Sequence, residues 1–311
     1  MKGMTTLRPS IQRTAPEAAR PPPESANPPE VLELGQFIPC VYHFNMLADD
    51  ARMSAFKEAI SYAVGPEHRV VELGGGTGVL SHFASLRGAS VECVERNPEL
   101  ARQARRILQA NGSSARVRVV EADAFDYLPP TPVDIVICEM IHVGMLREKQ
   151  LAVIESFKQR YLKAFGPPLP QFIPEAFFQA VQPVQQRFDF HGYVATTACF
   201  QDPLAVQPRT STLSLPLLYH SSSYEEDYSL DCSWTGQMCF VDGGEFNAIR
   251  FITKNILTVI PEEQRAIEWT SQYLVVPLEE PLKVELGQTA TVSFSYRAGD
   301  PIESLRPRAW L

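Results

Sequence analysis

The feature that most constrains this chain is the run Glu72-Leu73-Gly74-Gly75-Gly76-Thr77-Gly78, set between a strand pattern and a helical one. Arg69–Leu73 reads as a short buried strand, and Val79–Leu86 carries the apolar spacing of a helix. Glycines at 74, 76 and 78 let the backbone turn tightly and approach a ligand closely. A strand that ends in such a loop and feeds a helix opens a βαβ unit, so this region is committed to a helix-covered parallel sheet.

The alternation continues. Residues 90–94, 117–120 and 133–138 read as further strands, and a last helix is expected over about 147–164. Asn97-Pro98 supplies a cap and a first-turn proline for the helix after the second strand, and Gly112 closes it. Upstream, Met46, Met53, Phe56, Ile60 and Ala63 fall at helical spacing and predict one amphipathic helix ending near Gly65-Pro66. After Gly166-Pro167-Pro168-Leu169-Pro170 strand-like alternation takes over: Val292, Phe294 and Tyr296 share a face, and 246–260 is rich in branched and aromatic residues. The expected fold class is therefore α/β, a Rossmann-like, mainly parallel domain followed by a β-barrel or β-sandwich-like domain. Seven of the 26 prolines lie in residues 1–30, a polar stretch expected to be disordered. The expected divisions are this tail, a helical segment at 31–66, a cofactor domain at 67–168 and a barrel at 169–311.

The loop selects between two cofactor classes. A dinucleotide site needs glycine at 79, where this chain has Val79. The E-x-G-x-G-x-G pattern of Glu72, Gly74, Gly76 and Gly78 is instead the S-adenosylmethionine (SAM) form, whose ligand has no pyrophosphate to cradle. The second strand runs on to Glu95, 95 − 74 = 21 residues beyond the loop, a spacing that sets a carboxylate beside a ribose, with Arg96 next to it. Asp123-Ala124 follows the third strand, where an adenine would lie.

The fourth strand runs into Cys138-Glu139-Met140-Ile141-His142-Val143-Gly144-Met145-Leu146-Arg147-Glu148. Two glutamates nine apart (148 − 139 = 9) bracket a loop that can fold back and aim both at one point. Converging carboxylates are costly unless a cation sits between them.

With these residues in view, the chain resembles the protein arginine methyltransferases over residues 43 to about 296. Their first motif is similar to Val71–Val79, and both glutamates of their S-E-W-M-G-Y-x-L-x-x-E loop are in register with Glu139 and Glu148. His43-x-x-Met46-Leu47-x-Asp49-x-x-Arg52 is similar to the family segment that folds over the cofactor, which implies cofactor contacts for His43 and Met46 and a SAM-carboxylate role for Arg52. The family's fold, a SAM-binding domain and then a β-barrel, agrees with the break near residue 170. The chain departs from the family in four places. Leu34-Gly35-Gln36-Phe37 replaces an aromatic Y-F-x-x-Y cluster, Met140, His142 and Val143 replace Trp, Gly and Tyr, and the late T-H-W motif survives only as Ile267-Glu268-Trp269-Thr270. The segment between Phe190 and Ser214, where the family carries a dimerisation arm, is short, so a homodimer stays open.

The resemblance implies a SAM-dependent N-methyltransferase that leaves S-adenosylhomocysteine and acts on a guanidino nitrogen, in a protein or peptide or in free arginine or a related small molecule. Glu139 and Glu148 would grip the guanidinium, with Glu139 also bordering the cofactor. His142 is a candidate base, and Glu268 and Trp269 are candidate substrate contacts. A small-molecule O- or C-methyltransferase and a non-catalytic SAM-binding scaffold remain open alternatives. A formal net charge of −8 argues against a general nucleic-acid binder, and no N/D-P-P-Y/F motif follows the fourth strand. The six cysteines lack zinc-type spacing, so no metal is expected. Free thiols, a start without the apolar stretch of a secretory signal, and no run of apolar residues long enough to cross a membrane lead to the expectation of a cytoplasmic protein.

Overall fold

A computed structural model describes residues 40–311; the expected disordered tail at 1–30 and the stretch up to residue 39 lie outside the described residues. Helices α1 (Cys40–Leu47) and α2 (Asp50–Ala63) lead into β1 (Arg69–Leu73), α3 (Val79–Leu86), β2 (Ser90–Glu95), α4 (Pro98–Ala110), β3 (Val117–Glu121) and β4 (Ile135–Cys138). A 3₁₀ turn (Val143–Met145), α5 (Gln150–Phe165) and β5 (Gln171–Ile173) follow.

The helix expected from Met46 to Ala63 is two helices. Asp49 lies outside helical geometry, and its carboxylate accepts from the Arg52 N–H at 3.0 Å, capping α2. An aspartate stabilises a helix start by taking up an orphan N–H, which it cannot do mid-helix. The cap also sets Arg52 in the first turn of α2.

The parallel sheet has the order β3-β2-β1-β4-β5. The order reverses between β1 and β4, so a crevice opens above their C-terminal ends. In β1, Val70, Val71 and Leu73 are at most 1% exposed, because helices cover both faces. The fifth strand comes from beyond the proline-rich break, so the sheet takes in residues that the sequence assigned to the second domain. Three residues are too few to display a period.

The remaining strands are β6 (Ala176–Gln186), β7 (Asp189–Phe190), β8 (Tyr193–Val194), β9 (Cys199–Gln201), β10 (Thr210–Thr212), β11 (Leu217–Ser223), β12 (Asp231–Cys239), β13 (Gly244–Ile260), β14 (Arg265–Thr270), β15 (Tyr273–Val284), β16 (Thr289–Arg297) and β17 (Arg308–Trp310). One antiparallel sheet runs β10-β6-β13-β15-β9, with β11 on β6 and β14 on β13; a second runs β12-β16-β17, and β7 and β8 form a small hairpin. The two larger sheets enclose one apolar core, to which Phe246, Phe251 and Leu274 come from the first and Met238, Val292 and Phe294 from the second. Truncating fully buried Phe251 to alanine would cost roughly 3–5 kcal/mol.

Strand β13 is 17 residues long and serves both halves. Its first part lies in the barrel core, while Leu257 and Ile260 pack with Phe56 and Ile60 of α2 and with Ile135 and Ile137 of β4. Among the described residues no helix is long and apolar enough to cross a membrane.

Candidate active site

The loop after β1 has the backbone its glycines allow. Gly74 and Gly76 have φ of 75° and 56°, in the left-handed region, and both face a cavity above β1 and β4. A Cβ on Gly74 would lie 2.8 Å from Met140 Sδ, and one on Gly76 3.0 Å from His43 Nδ1. Gly78 stands apart from the other residues expected at the cofactor. It does not line the cavity but begins α3, where a Cβ would lie 2.9 Å from Leu108 Cδ1. Its part is close packing of α3 on α4.

Carboxylates anchor the loop from below. Glu95 Oε2 accepts from the Gly76 N–H at 2.9 Å and Oε1 from the Asn97 N–H at 2.7 Å, leaving lone pairs on each oxygen. Burial raises its pKa while those backbone bonds oppose the rise. Glu72 is 3% exposed and accepts from the N–H and the hydroxyl of Ser81. Burial pushes its carboxyl up to about 7, against those bonds and with a small contribution from Glu95. Asp123 pairs with Arg96 at 3.0 Å and caps its own turn through the Phe125 N–H at 2.9 Å. His43, Met46, Arg96, Asp123 and Ala124 line the same cavity.

The segment from Glu139 to Glu148 is held in a sparsely populated backbone. Gly144, Met145 and Arg147 have φ of 69°, 54° and 61°, which for the two side-chain-bearing residues costs on the order of 1–3 kcal/mol each. The second half of the molecule sustains it. Thr253 Oγ1 accepts from the Gly144 N–H at 2.8 Å, Asp300 O from the Arg147 N–H at 2.7 Å, and the Gly299 N–H donates to Met145 O at 2.8 Å. This fold-back delays α5 from the expected start near 147 to Gln150, and returns Glu148 to the cavity that Glu139 also lines.

The two carboxylates have different surroundings. Glu139 forms an ion pair with Arg52, with 7% and 12% of their side chains exposed. The Arg52 guanidinium also lies 5.4 Å from the centre of the Trp269 ring, and its Nε is buried without a hydrogen-bond partner. Burial lowers the Arg52 pKa, while Glu148 and Asp49 oppose the shift. Glu148 is pushed up to about 7 by burial, against the pull of Arg52 and Arg147.

Two side chains expected at the site stand elsewhere. His142 directs Nδ1 to the Val143 carbonyl at 3.0 Å and sets its ring edge-on to Phe200, 5.5 Å between centres. It does not line the cavity, and burial holds it down to about 4, so it is neutral at pH 7. The Glu268 carboxylate pairs with Lys254 Nζ at 2.5 Å on an exposed flank of β13 and β14. Trp269 does not line the cavity; it lies beside the Arg52 guanidinium and Phe56, 6.0 Å between ring centres, and packs against the apolar cluster that holds Ile141 and Met145. Sequence reading missed Thr253 and Gln150. Gln150 is fully buried and its side-chain amide bonds the backbone of Cys138 and Met140, beside Glu139. Among the described residues no three His, Cys, Asp or Glu side chains gather as a metal site would need.

A methyltransferase domain family model matches residues 70–164. The chain is 30% identical over 264 residues to an uncharacterized protein of Methanothermobacter thermautotrophicus, covering 85% of this chain and 95% of that one. It is 34% identical over 137 residues to protein arginine N-methyltransferase 2 of Xenopus tropicalis, 42% of this chain and 31% of that protein. It is 31% identical over 134 residues to an arginine N(omega)-methyltransferase of Streptomyces achromogenes, 42% of this chain and 37% of that one. Among solved structures it is similar to the Trypanosoma brucei PRMT1 enzyme–prozyme heterotetrameric complex with AdoHcy, at a TM-score of 0.68 and 16% identity, covering 86% of this chain and 96% of that one.

Proposed function

We propose that this chain, a class I SAM-dependent methyltransferase similar to the arginine methyltransferases, methylates a guanidino nitrogen of arginine, in a protein, in a peptide or as the free amino acid. The observation that carries this reading is the return of Glu148 to the cavity where Glu139 pairs with Arg52. On this reading residues 67–168 bind the cofactor, and 169–311 support the acceptor side.

The residues present fit SAM. Gly74 and Gly76, which face the cavity, leave no room for a Cβ without displacing Met140 or His43, and Glu95 keeps lone pairs for ribose hydroxyls. Arg52 has five donors; one nitrogen meets Glu139 and the buried Nε is available to a carboxylate. Asp123 and Ala124 would border the adenine, and His43 and Met46 would close the cavity from α1. When bound, SAM supplies a methyl group on a sulfonium.

A guanidinium is a poor nucleophile because its charge is delocalised and its pKa lies above about 12. Glu139 and Glu148 would accept its N–H groups and draw the positive charge away from the remaining nitrogen, which attacks. The proton lost from the guanidinium goes to Glu148. Its carboxyl, raised to about 7, is better matched to that task than Glu139, whose negative charge Arg52 offsets. His142, neutral and turned to Phe200, takes no part.

The test is to incubate the protein with methyl-labelled SAM and free arginine, arginine peptides or a cell extract, then identify the labelled product by mass. Label on a guanidino nitrogen supports the reading, and its loss in Glu148→Gln with SAM binding intact assigns the clamp. Label on a hydroxyl or a carbon, or none on any acceptor, overturns it.

A further inference from the structure

Gln150 opens α5 two residues after Glu148 and is 0% exposed. Its Nε2 donates to the Cys138 carbonyl at 2.7 Å, and its Oε1 accepts from the Met140 N–H at 2.8 Å. Those groups belong to the residues on either side of Glu139. In an extended chain the carbonyl of one residue and the N–H two residues on point to the same edge, the edge that a neighbouring strand would occupy. The amide therefore stands in for a strand at the place where β4 ends and the catalytic segment begins. The thiol of Cys138 lies 3.3 Å from Oε1, and the buried hydroxyl of Tyr224 lies 3.4 Å from Nε2. A buried amide is costly unless its donor and acceptor are both used, and here both are.

We propose that Gln150 is a positioning residue, whose amide locks the backbone on both sides of Glu139 and so fixes the placement of the Glu139 and Glu148 carboxylates relative to each other. Two residues from Glu148 along the chain and hydrogen-bonded on both sides of Glu139, it links the two through the backbone. This rests on the reading of the two glutamates as the guanidinium clamp. An apolar residue of the same length would fill the volume equally well; the amide adds direction. Gln150 touches no reacting atom, and its effect on turnover passes through Glu139.

Two variants separate hydrogen bonding from packing. Gln150→Met keeps length and volume but removes both bonds. Gln150→Glu keeps the acceptor for Met140 and loses the donor to Cys138, except when its carboxyl is protonated. With an arginine acceptor, both variants should bind SAM within about threefold of the unmodified protein and lose roughly tenfold or more in kcat at pH 8. Lowering the pH to 6 should restore Gln150→Glu relative to the unmodified protein, and leave Gln150→Met unrestored. Cys138, Tyr224 and Glu148, the titratable groups around the amide, are common to all three proteins, so the ratio removes their contribution. A second readout needs no acceptor: the Met140 amide should exchange hydrogen roughly tenfold faster in Gln150→Met. Wild-type kcat in Gln150→Met, a pH-independent deficit in Gln150→Glu, or unchanged Met140 exchange overturns the proposal. If the unmodified protein methylates no guanidino acceptor, the proposed function falls and Met140 exchange alone decides Gln150.

Discussion

Arg52 and Glu139 pair across the cavity, one from the capped first turn of α2 and the other from the end of β4. Neither residue can be removed without leaving the other's charge in a partly dry place. Arg52→Ala should lower stability by about 3–5 kcal/mol, the usual cost of orphaning a buried partner, and weaken SAM binding at least tenfold. Arg52→Lys should recover part of the stability and little of the binding, because an ammonium lacks the planar fork. Denaturant unfolding and calorimetric titration with SAM check both; equal SAM affinity in Arg52→Ala would remove the cofactor role.

The rate should depend on pH through Glu148. Its carboxyl, raised to about 7, is neutral below that pH and cannot grip a cation. The acceptor kcat/KM should therefore rise with pH through a limb near 7. His142, held near 4, cannot supply that limb, so His142→Gln should preserve it. A limb lost in His142→Gln would reinstate the histidine as the base.

Glu72 should make the fold less stable as the pH rises. Its carboxyl titrates near 4.5 when unfolded and near 7 when folded, so between those values the folded state holds more protons. Stability attributable to this group falls across that window, by at most about 3 kcal/mol. Unfolding at pH 5 and pH 8 should show a smaller loss in Glu72→Gln than in the unmodified protein. Identical losses would mean that Glu72 is not the group responsible.

Thr253→Val should show what the strained segment requires. The change keeps shape and strands the Gly144 N–H, which costs about 1–3 kcal/mol. Because the loop carries Glu148, kcat should fall by roughly tenfold while SAM affinity stays close to normal. Unchanged turnover would show that the Asp300 and Gly299 contacts suffice.

Much of the parallel half was legible because its signals are local. Asn97 accepts from the Glu99 and Leu100 N–H groups at 3.0 and 3.3 Å, as an Asn-Pro start implies, and Val292, Phe294 and Tyr296 share the buried face that alternation predicts. The convergence of Glu139 and Glu148 on one cavity was legible in their spacing. Other features depended on what the rest of the chain does. Thr253 meets Gly144 only because β13 passes beneath the loop, and nothing in Ile252-Thr253-Lys254 announces it. His142 turns to Phe200 because the left-handed residues after it reverse the chain, a choice that composition does not encode. The break at Asp49 did have a local signal, an aspartate three residues before Arg52, which apolar periodicity overrode.

Strand β13 carries a consequence for how the protein comes apart. Leu257 and Ile260 complete the core under α2 and β4, and Phe246 and Phe251 fill the other core from the same continuous backbone. Neither half can melt without exposing apolar surface in the other, so heat or denaturant should show one cooperative transition. A fragment ending at residue 168 would lack β5 and the lining that Leu257 and Ile260 provide. The parallel half is thus not a detachable module, and its Glu139–Glu148 segment reports the integrity of the whole strand.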